Sequence, residues 1–288
     1  MKSNTHSSLN AITKAIVVVF LLTLPRVATA ADYINSGTII VIAQTKHRVI
    51  LAADSRSGAT TDGVAVENVD DSACKIAAFG RNVVFSAAGV LGIRGQKWTA
   101  ISQAVDVVKT FAPGPIGSRQ GESILDKWAD SMIQRLSVFS SDQLHSYAAI
   151  NEGHITTGVL AGIENNKKTW VRAVMVNFSS ATGLLHQSYT LTSNDPPTAY
   201  YFLGKSQIGL EFERDRSSSR ALEERTAWDR RNLSGASLDR FKARRLVELT
   251  IMYHSSKTDV GGAVDEIEVD ASGVRWLHIK PNCTQMYP

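Results

Sequence analysis

Thr38, Asp54, Lys75 and Gly89 stand at or near the ends of four short apolar runs, which gathers a hydroxyl, a carboxylate, an ammonium and a residue without a side chain. Ser36-Gly37-Thr38 opens the first run, Ala52-Ala53-Asp54-Ser55-Arg56 closes the second, Lys75 lies in the third, and Ala87-Ala88-Gly89 closes the fourth. A Lys inside Cys74-Lys75-Ile76-Ala77-Ala78 needs a reason, because an unpaired buried ammonium is costly. Asp54 is one partner for it; the alternative puts Lys75 on a sheet edge facing water and lets Asp54 start a turn. A threonine hydroxyl is by itself a poor nucleophile and needs a base within hydrogen-bond reach. Other chemistries lack their residues. There is no HExxH, GxSxG, P-loop or GxGxxG; Gly89, Gly92 and Gly95 are three apart and make no phosphate fingerprint, and the seven His include no i, i+4 pair. Neither a metal nor a cofactor is expected.

The elements that must position these residues follow from periodicity. Thr38 to Ala43 and Val49 to Ala53 are continuous apolar runs separated by Thr45-Lys46-His47-Arg48, which predicts two buried strands and a tight connection. Asp54 to Ser72 is polar and Gly-containing, and reads as loop or irregular strand. Cys74 to Ala78 and Val83 to Ala87 flank Gly80-Arg81-Asn82 as a second hairpin. Trp98, Ile101, Val105 and Val108 then share one helical stripe ended by Pro113-Gly114-Pro115, and Ile124, Trp128, Met132 and Leu136 mark a helix from about Gln120 to Phe139. Strands are expected at Ser146 to Ile150, Thr157 to Ile163, Thr169 to Val176 and Gln187 to Leu191. A stretch of mixed charge over about 211–237 reads as a solvated helical excursion or surface loop. A helix from about Leu238 to His254 turns Leu238, Phe241, Leu246, Leu249 and Tyr253 inward, and strands near Ala263 to Val269 and Val274 to Ile279 close the chain.

The chain has 288 residues, 43% hydrophobic and 20% charged, as expected of one large globular domain and not of a disordered or multi-span membrane chain. The net charge of +4 includes Lys2, Lys14 and Arg26, in a first stretch of thirty residues with no acid, so the remainder is near +1 and charge alone implies no nucleic-acid partner. That first stretch has an apolar run from Ala15 to Leu22, then Pro25 and Ala28-Thr29-Ala30. It predicts a secretory signal peptide over 1–30, cut after Ala30, because the run falls well short of the ~20 residues of a spanning helix. A soluble protein exported to the periplasm or the extracellular space is expected, with no membrane contact after the signal is removed. Cys74 and Cys283 are too few for a disulfide scaffold or a Cys-based zinc site; an oxidising compartment permits one bridge, and two unpaired thiols are the alternative. Asn177, Asn232 and Asn282 head Asn-x-Ser/Thr sequons.

The string Thr38-Ile39-Ile40-Val41-Ile42-Ala43, then Val49-Ile50-Leu51-Ala52-Ala53-Asp54-Ser55-Arg56, then Lys75 and Ser86-Ala87-Ala88-Gly89, resembles the start of proteasome β-type subunits and of bacterial proteasome-like peptidases, both N-terminal nucleophile hydrolases. Thr38 and Asp54 are 16 residues apart and Lys75 and Gly89 are 14 apart, matching the family's nucleophile-to-Asp and Lys-to-Gly intervals. The Asp54 to Lys75 segment is longer than usual, which implies an enlarged loop. The match is close from Gly37 to about Gly89 and thin afterwards. Tyr201-Phe202-Leu203-Gly204-Lys205-Ser206 is similar to the family's Gly-Ser-Gly turn with Lys205 where Ser is expected. Asp259-Val260-Gly261-Gly262 is similar to its Asp-x-x-Ser-Gly-Gly motif with Lys257 and Val260 at the Asp and Ser positions. Ser206 and Asp259 are candidates to substitute from shifted places.

The resemblance implies an α+β fold, a four-layer α/β/β/α sandwich over 38–288, and a threonine-type peptidase or amidohydrolase acting on peptide or other amide bonds. Thr38 is then the nucleophile once it becomes the first residue, its α-amine, ordinarily near pKa ~8, being the base. Lys75 lowers that amine's pKa and stabilises charge at the Thr oxygen, Asp54 holds Lys75, and the Gly89 N–H is the oxyanion donor. The remnant Ala31 to Gly37 must be removed by self-cleavage, since signal peptidase cuts earlier. Two alternatives are a catalytically silent scaffold or binding protein of the same fold and a small-amide acylase. A homo-oligomer is expected by analogy alone.

Overall fold

Apolar runs broken by short polar stretches fold into strands, and the breaks into turns. The computed structural model describes residues 34–61, 64–93, 96–150, 153–165, 167–191, 198–215, 217–254, 260–281, 283 and 286–287. All of these fall within one unit, Tyr33–Pro288. The leader expected over 1–30, the first part of the 31–37 remnant, and Asp259 lie outside the described residues.

A short strand, β1 (Ile34–Ser36), precedes Thr38. It is followed by β2 (Ile39–Gln44) and β3 (Arg48–Asp54), paired antiparallel and joined by a turn in which the Thr45 hydroxyl accepts from the His47 and Arg48 amides. The segment expected as an enlarged loop is instead a hairpin, β4 (Ser57–Thr61) and β5 (Val64–Asp70). β-Branched Thr60, Thr61, Val64 and Val66 favour extended backbone. β6 (Ile76–Phe79) starts after Lys75, which therefore precedes the strand and does not lie inside it, and β7 (Val83–Gly89) follows. β8 is the short Gly92–Ile93.

Helices α1 (Ala100–Val108) and α2 (Ser118–Leu136) come next. The strand expected at Ser146 to Ile150 is a helix, α3 (Ser141–Ile150). Ser140 and Gln143 close a reciprocal cap at its start, and Leu144, Tyr147 and Ala148, buried at helical spacing, pack under it. Strands β9 (His154–Ile163), β10 (Thr169–Ser179), β11 (Gly183–Leu191) and β12 (Ala199–Gly204) follow. The charged stretch is neither loop nor freely solvated. It forms α4 (Gln207–Arg214) and α5 (Ser219–Asp229), which bury Phe212, Ala221 and Trp228 beside α6 (Gly235–Tyr253). Tyr253, expected inward, is 40% exposed, because Ala243, Leu246, Val247 and Thr250 form the buried stripe of α6. β13 (Val264–Asp270), β14 (Gly273–His278) and β15 (Met286–Tyr287) end the chain.

Among the described residues the strands form three sheets in the orders β12-β2-β3-β13-β14, β11-β10-β9-β7-β6-β15 and β5-β4-β1-β8. Pairing is antiparallel except between β15 and β6. Alternation along the strands sends side chains to opposite faces. Ile40, Ile42, Leu51, Val84, Val159, Ala173 and Ile267 join the five- and six-stranded sheets face to face. The other face of the six-stranded sheet packs Phe85, Leu160 and Val174 against Trp128, Met132 and Tyr147 of α2 and α3. The other face of the five-stranded sheet packs Ile39, Val41 and Ile50 against Phe212 and Leu246. The molecule is thus mixed α and β.

Candidate active site

Register carries the chosen residues together. Gly204 at the end of β12 pairs with Ile39, Asp54 at the end of β3 pairs with Val264, and Gly89 at the end of β7 pairs with Thr156. Asp54 is completely buried and Lys75 is 1% exposed, with Lys75 Nζ 2.8 Å from Asp54 Oδ1. The ion pair settles the first of the two readings of Lys75: it faces Asp54 and not water. Asp54 Oδ1 also accepts from the Ile39 amide at 3.0 Å, and Oδ2 from the amides of Arg56 at 3.3 Å and Gly261 at 2.9 Å. Several N–H donors fix the orientation of this carboxylate.

The ammonium has three hydrogens to place. Besides Asp54, Lys75 Nζ donates to the Gly37 carbonyl at 3.2 Å and to the Arg56 carbonyl. The Thr38 hydroxyl donates to the same Gly37 carbonyl. One peptide bond, Gly37 to Thr38, therefore has its oxygen against both the ammonium and the hydroxyl of the following residue. Arg56 is itself tied to Asp71 at 2.6 Å, which holds the Asp71 carboxyl below its usual range.

Thr38 and Gly89 line one small cleft with Ala88, His154, Thr156 and Lys205. Gly89 has φ +88°, and a Cβ there would lie 2.5 Å from the Ile155 carbonyl oxygen, so only glycine brings this backbone so close to β9. Gly204 has φ +78°, and a Cβ there would collide with the Thr38 carbonyl oxygen, so glycine alone allows this close approach. That contact lets the Lys205 amide donate to Thr38 O at 2.9 Å. Ser206 does not line the cleft; it precedes α4, its amide bonded to Gly204 O at 2.7 Å. Lys205 stands where Ser206 was expected to serve. His154, which nothing in the sequence singled out, lines the cleft with its Nδ1 2.6 Å from Asn177 Oδ1. The Gly261 amide on Asp54 and the Arg56 carbonyl on Lys75 were likewise invisible to spacing, because backbone groups carry no residue signature.

Cys74, next to Lys75, is bonded to Cys283, with Cα atoms 5.4 Å apart. Lys280 adds to this attachment through the Ala73 carbonyl at 2.7 Å and Asp265 at 3.1 Å. Among the described residues, no cluster of His, Cys, Asp and Glu is suited to hold a metal, and no helix is long and apolar enough to cross a membrane.

No protein-family model and no curated protein matches the chain. Among solved structures it is similar to the Gly-1 mutant of Anbu from Hyphomicrobium sp. strain MC1, at 17% sequence identity and a TM-score of 0.46, over 86% of this chain and 89% of that one. A likeness of this size leaves activity and site residues to the geometry.

Proposed function

We propose that this chain is a threonine-type amide or peptide hydrolase whose nucleophile, Thr38, is released by self-cleavage after Gly37. The observation that carries the reading is the buried Lys75 ammonium, shared between Asp54 and the Gly37 carbonyl on which the Thr38 hydroxyl also lies. In processing, Lys75 draws charge toward the Gly37 oxygen while Thr38 Oγ1 adds to the carbonyl carbon. The C–N bond breaks, leaving an ester on Thr38 and a free Thr38 amine, and water hydrolyses the ester to release a segment ending in the Gly37 carboxylate. In turnover the amine takes the hydroxyl proton, Oγ1 attacks the substrate carbonyl, and the Gly89 N–H supports the developing oxyanion. The proton passes to the leaving amine, and water then frees the acyl group.

The fold belonging to this proposal is a four-layer α/β/β/α sandwich, supported by the three apolar clusters that join helices to sheet, sheet to sheet and sheet to helices. Export to an oxidising compartment is supported by the Cys74–Cys283 bridge. A homo-oligomer remains part of the proposal, and sedimentation measures it.

One observation favours the silent scaffold instead. β1 pairs with β4 on one side and β8 on the other, so the residues ahead of Thr38 are built into a sheet. Intact mass and N-terminal sequencing separate the readings. Wild type should begin at Thr38 and hydrolyse amides, whereas Thr38→Ala should begin at Ala31 and be inert. Wild type that keeps Ala31 to Gly37 in its mature form, or a Thr38→Ala protein as active as wild type, leaves the scaffold reading.

A further inference from the structure

Hydrolysis after Gly37 breaks one covalent bond and none of the pairing that seats the residues ahead of it. β1 is a middle strand of its sheet, with β4 on one edge and β8 on the other. Ile34, Asn35 and Ser36 lie opposite Thr60, Ala59 and Gly58 of β4, while Ile34 and Asn35 lie opposite Ile93 and Gly92 of β8. The bond between Gly37 and Thr38 falls outside both ladders. Among the described residues β4 and β8 are not paired with each other, so loss of β1 would leave two strand edges facing a gap.

Cleavage also strengthens one contact. One water is taken up, its oxygen goes to Gly37, and the products are a Gly37 carboxylate and a Thr38 amine. Gly37 is buried, and its oxygen lies 3.2 Å from Lys75 Nζ and accepts from the Thr38 hydroxyl. The ammonium then faces an anion where it faced a neutral carbonyl, and a hydrogen bond between two charged groups is the stronger. That carboxylate stands where the acyl carbonyl of a substrate must come to meet Thr38 Oγ1. Resting on the self-cleavage reading, we propose that the freed segment, Ala31 to Gly37, stays in the sheet as a bound product that closes the site it has just left, so that cutting and opening are separate events. Activity then waits on the departure of this strand and not on the chemistry that frees it.

Mass spectrometry of wild type separates the two events. Under denaturing conditions the protein should begin at Thr38 and the Ala31 to Gly37 peptide should appear free; under native conditions the two should travel together, one water heavier than the uncut chain. Exhaustive dialysis should strip the peptide and raise amide hydrolysis several-fold. Returning the synthetic peptide should restore the block by raising KM with kcat unchanged. Calorimetry on stripped protein reads the hold without turnover. The free acid should bind about tenfold more tightly than its C-terminal amide, and a peptide carrying Asn35→Pro, which lacks a ladder donor, should not bind. A chain still uncut under denaturing conditions overturns the self-cleavage reading. A cut chain whose native mass lacks the peptide, or a stripped protein that binds the acid, amide and proline peptides alike or binds none, overturns retention alone. Retention in a protein that stays inert once stripped overturns turnover and leaves retention standing.

Discussion

Lys75 is the residue on which the site turns, because its three hydrogens join a carboxylate, the Gly37 carbonyl and the Arg56 carbonyl in a place water does not reach. Removing one partner of a buried ion pair leaves the other uncompensated. Lys75→Met should therefore lower stability by about 3 kcal/mol in denaturant unfolding at pH 7. It should also stop release of the Ala31 to Gly37 segment. Adding Asp54→Asn should recover part of the stability and none of the processing, and independent, additive losses would mean that the pair is not coupled. Thr38, Asp54, Lys75 and Gly89 were legible from the chain because each is an odd residue at the edge of an apolar run. Lys205 and His154 were not. His154 comes to the cleft that Thr38 lines only because β9, which it begins, pairs with β7, and nothing in Gly153-His154-Ile155 announces that pairing.

At the scale of elements, strands whose two faces are both apolar were easy to read, as β2, β3 and β7 illustrate. α3 was misread because Tyr147-Ala148-Ala149-Ile150 is short and apolar, and only the Ser140–Gln143 cap tells it from a strand. β13 presents the reverse case, acidic residues in the middle of a sheet. Glu266 is 2% exposed, its Oε1 finds no donor among the described residues, and burial pushes its carboxyl up from an ordinary 4.5 to about 7 against the pull of Arg244 and Arg240. At low pH folded and unfolded chains both hold this proton, so Glu266 leaves the balance unchanged. Between about 4.5 and about 7 the unfolded chain releases it and the folded chain keeps it, so stability falls as pH rises through that window. The loss amounts to about 3 kcal/mol once both states are ionised. Glu266→Gln should remove this slope, and thermal unfolding of the two proteins should diverge from pH 4.5 toward pH 7, with the Gln variant the more stable. Parallel curves would show that Glu266 does not titrate across the transition.

Across the whole molecule, the Cys74–Cys283 bridge closes a separation of 209 residues and fastens the end of the chain beside Lys75. Both states of these cysteines were left open by the sequence, since two thiols so far apart can be matched only once β15 is seen lying along β6. Cys74→Ser with Cys283→Ser should lose about 2–5 kcal/mol of stability. Wild type treated with a dithiol should fall by a similar amount, while the double variant should not respond; a response in the variant would place the effect elsewhere. The staple also sets an order of events. Asp54 needs the Gly261 amide and the neighbour of Lys75 needs Cys283, and both come near the end of the chain. A growing polypeptide holds Gly37 and Thr38 long before it holds the parts that fix the ammonium between Asp54 and their shared bond. If Thr38 frees itself, it does so in finished, oxidised molecules, and a chain cut short or kept reduced retains its first strand.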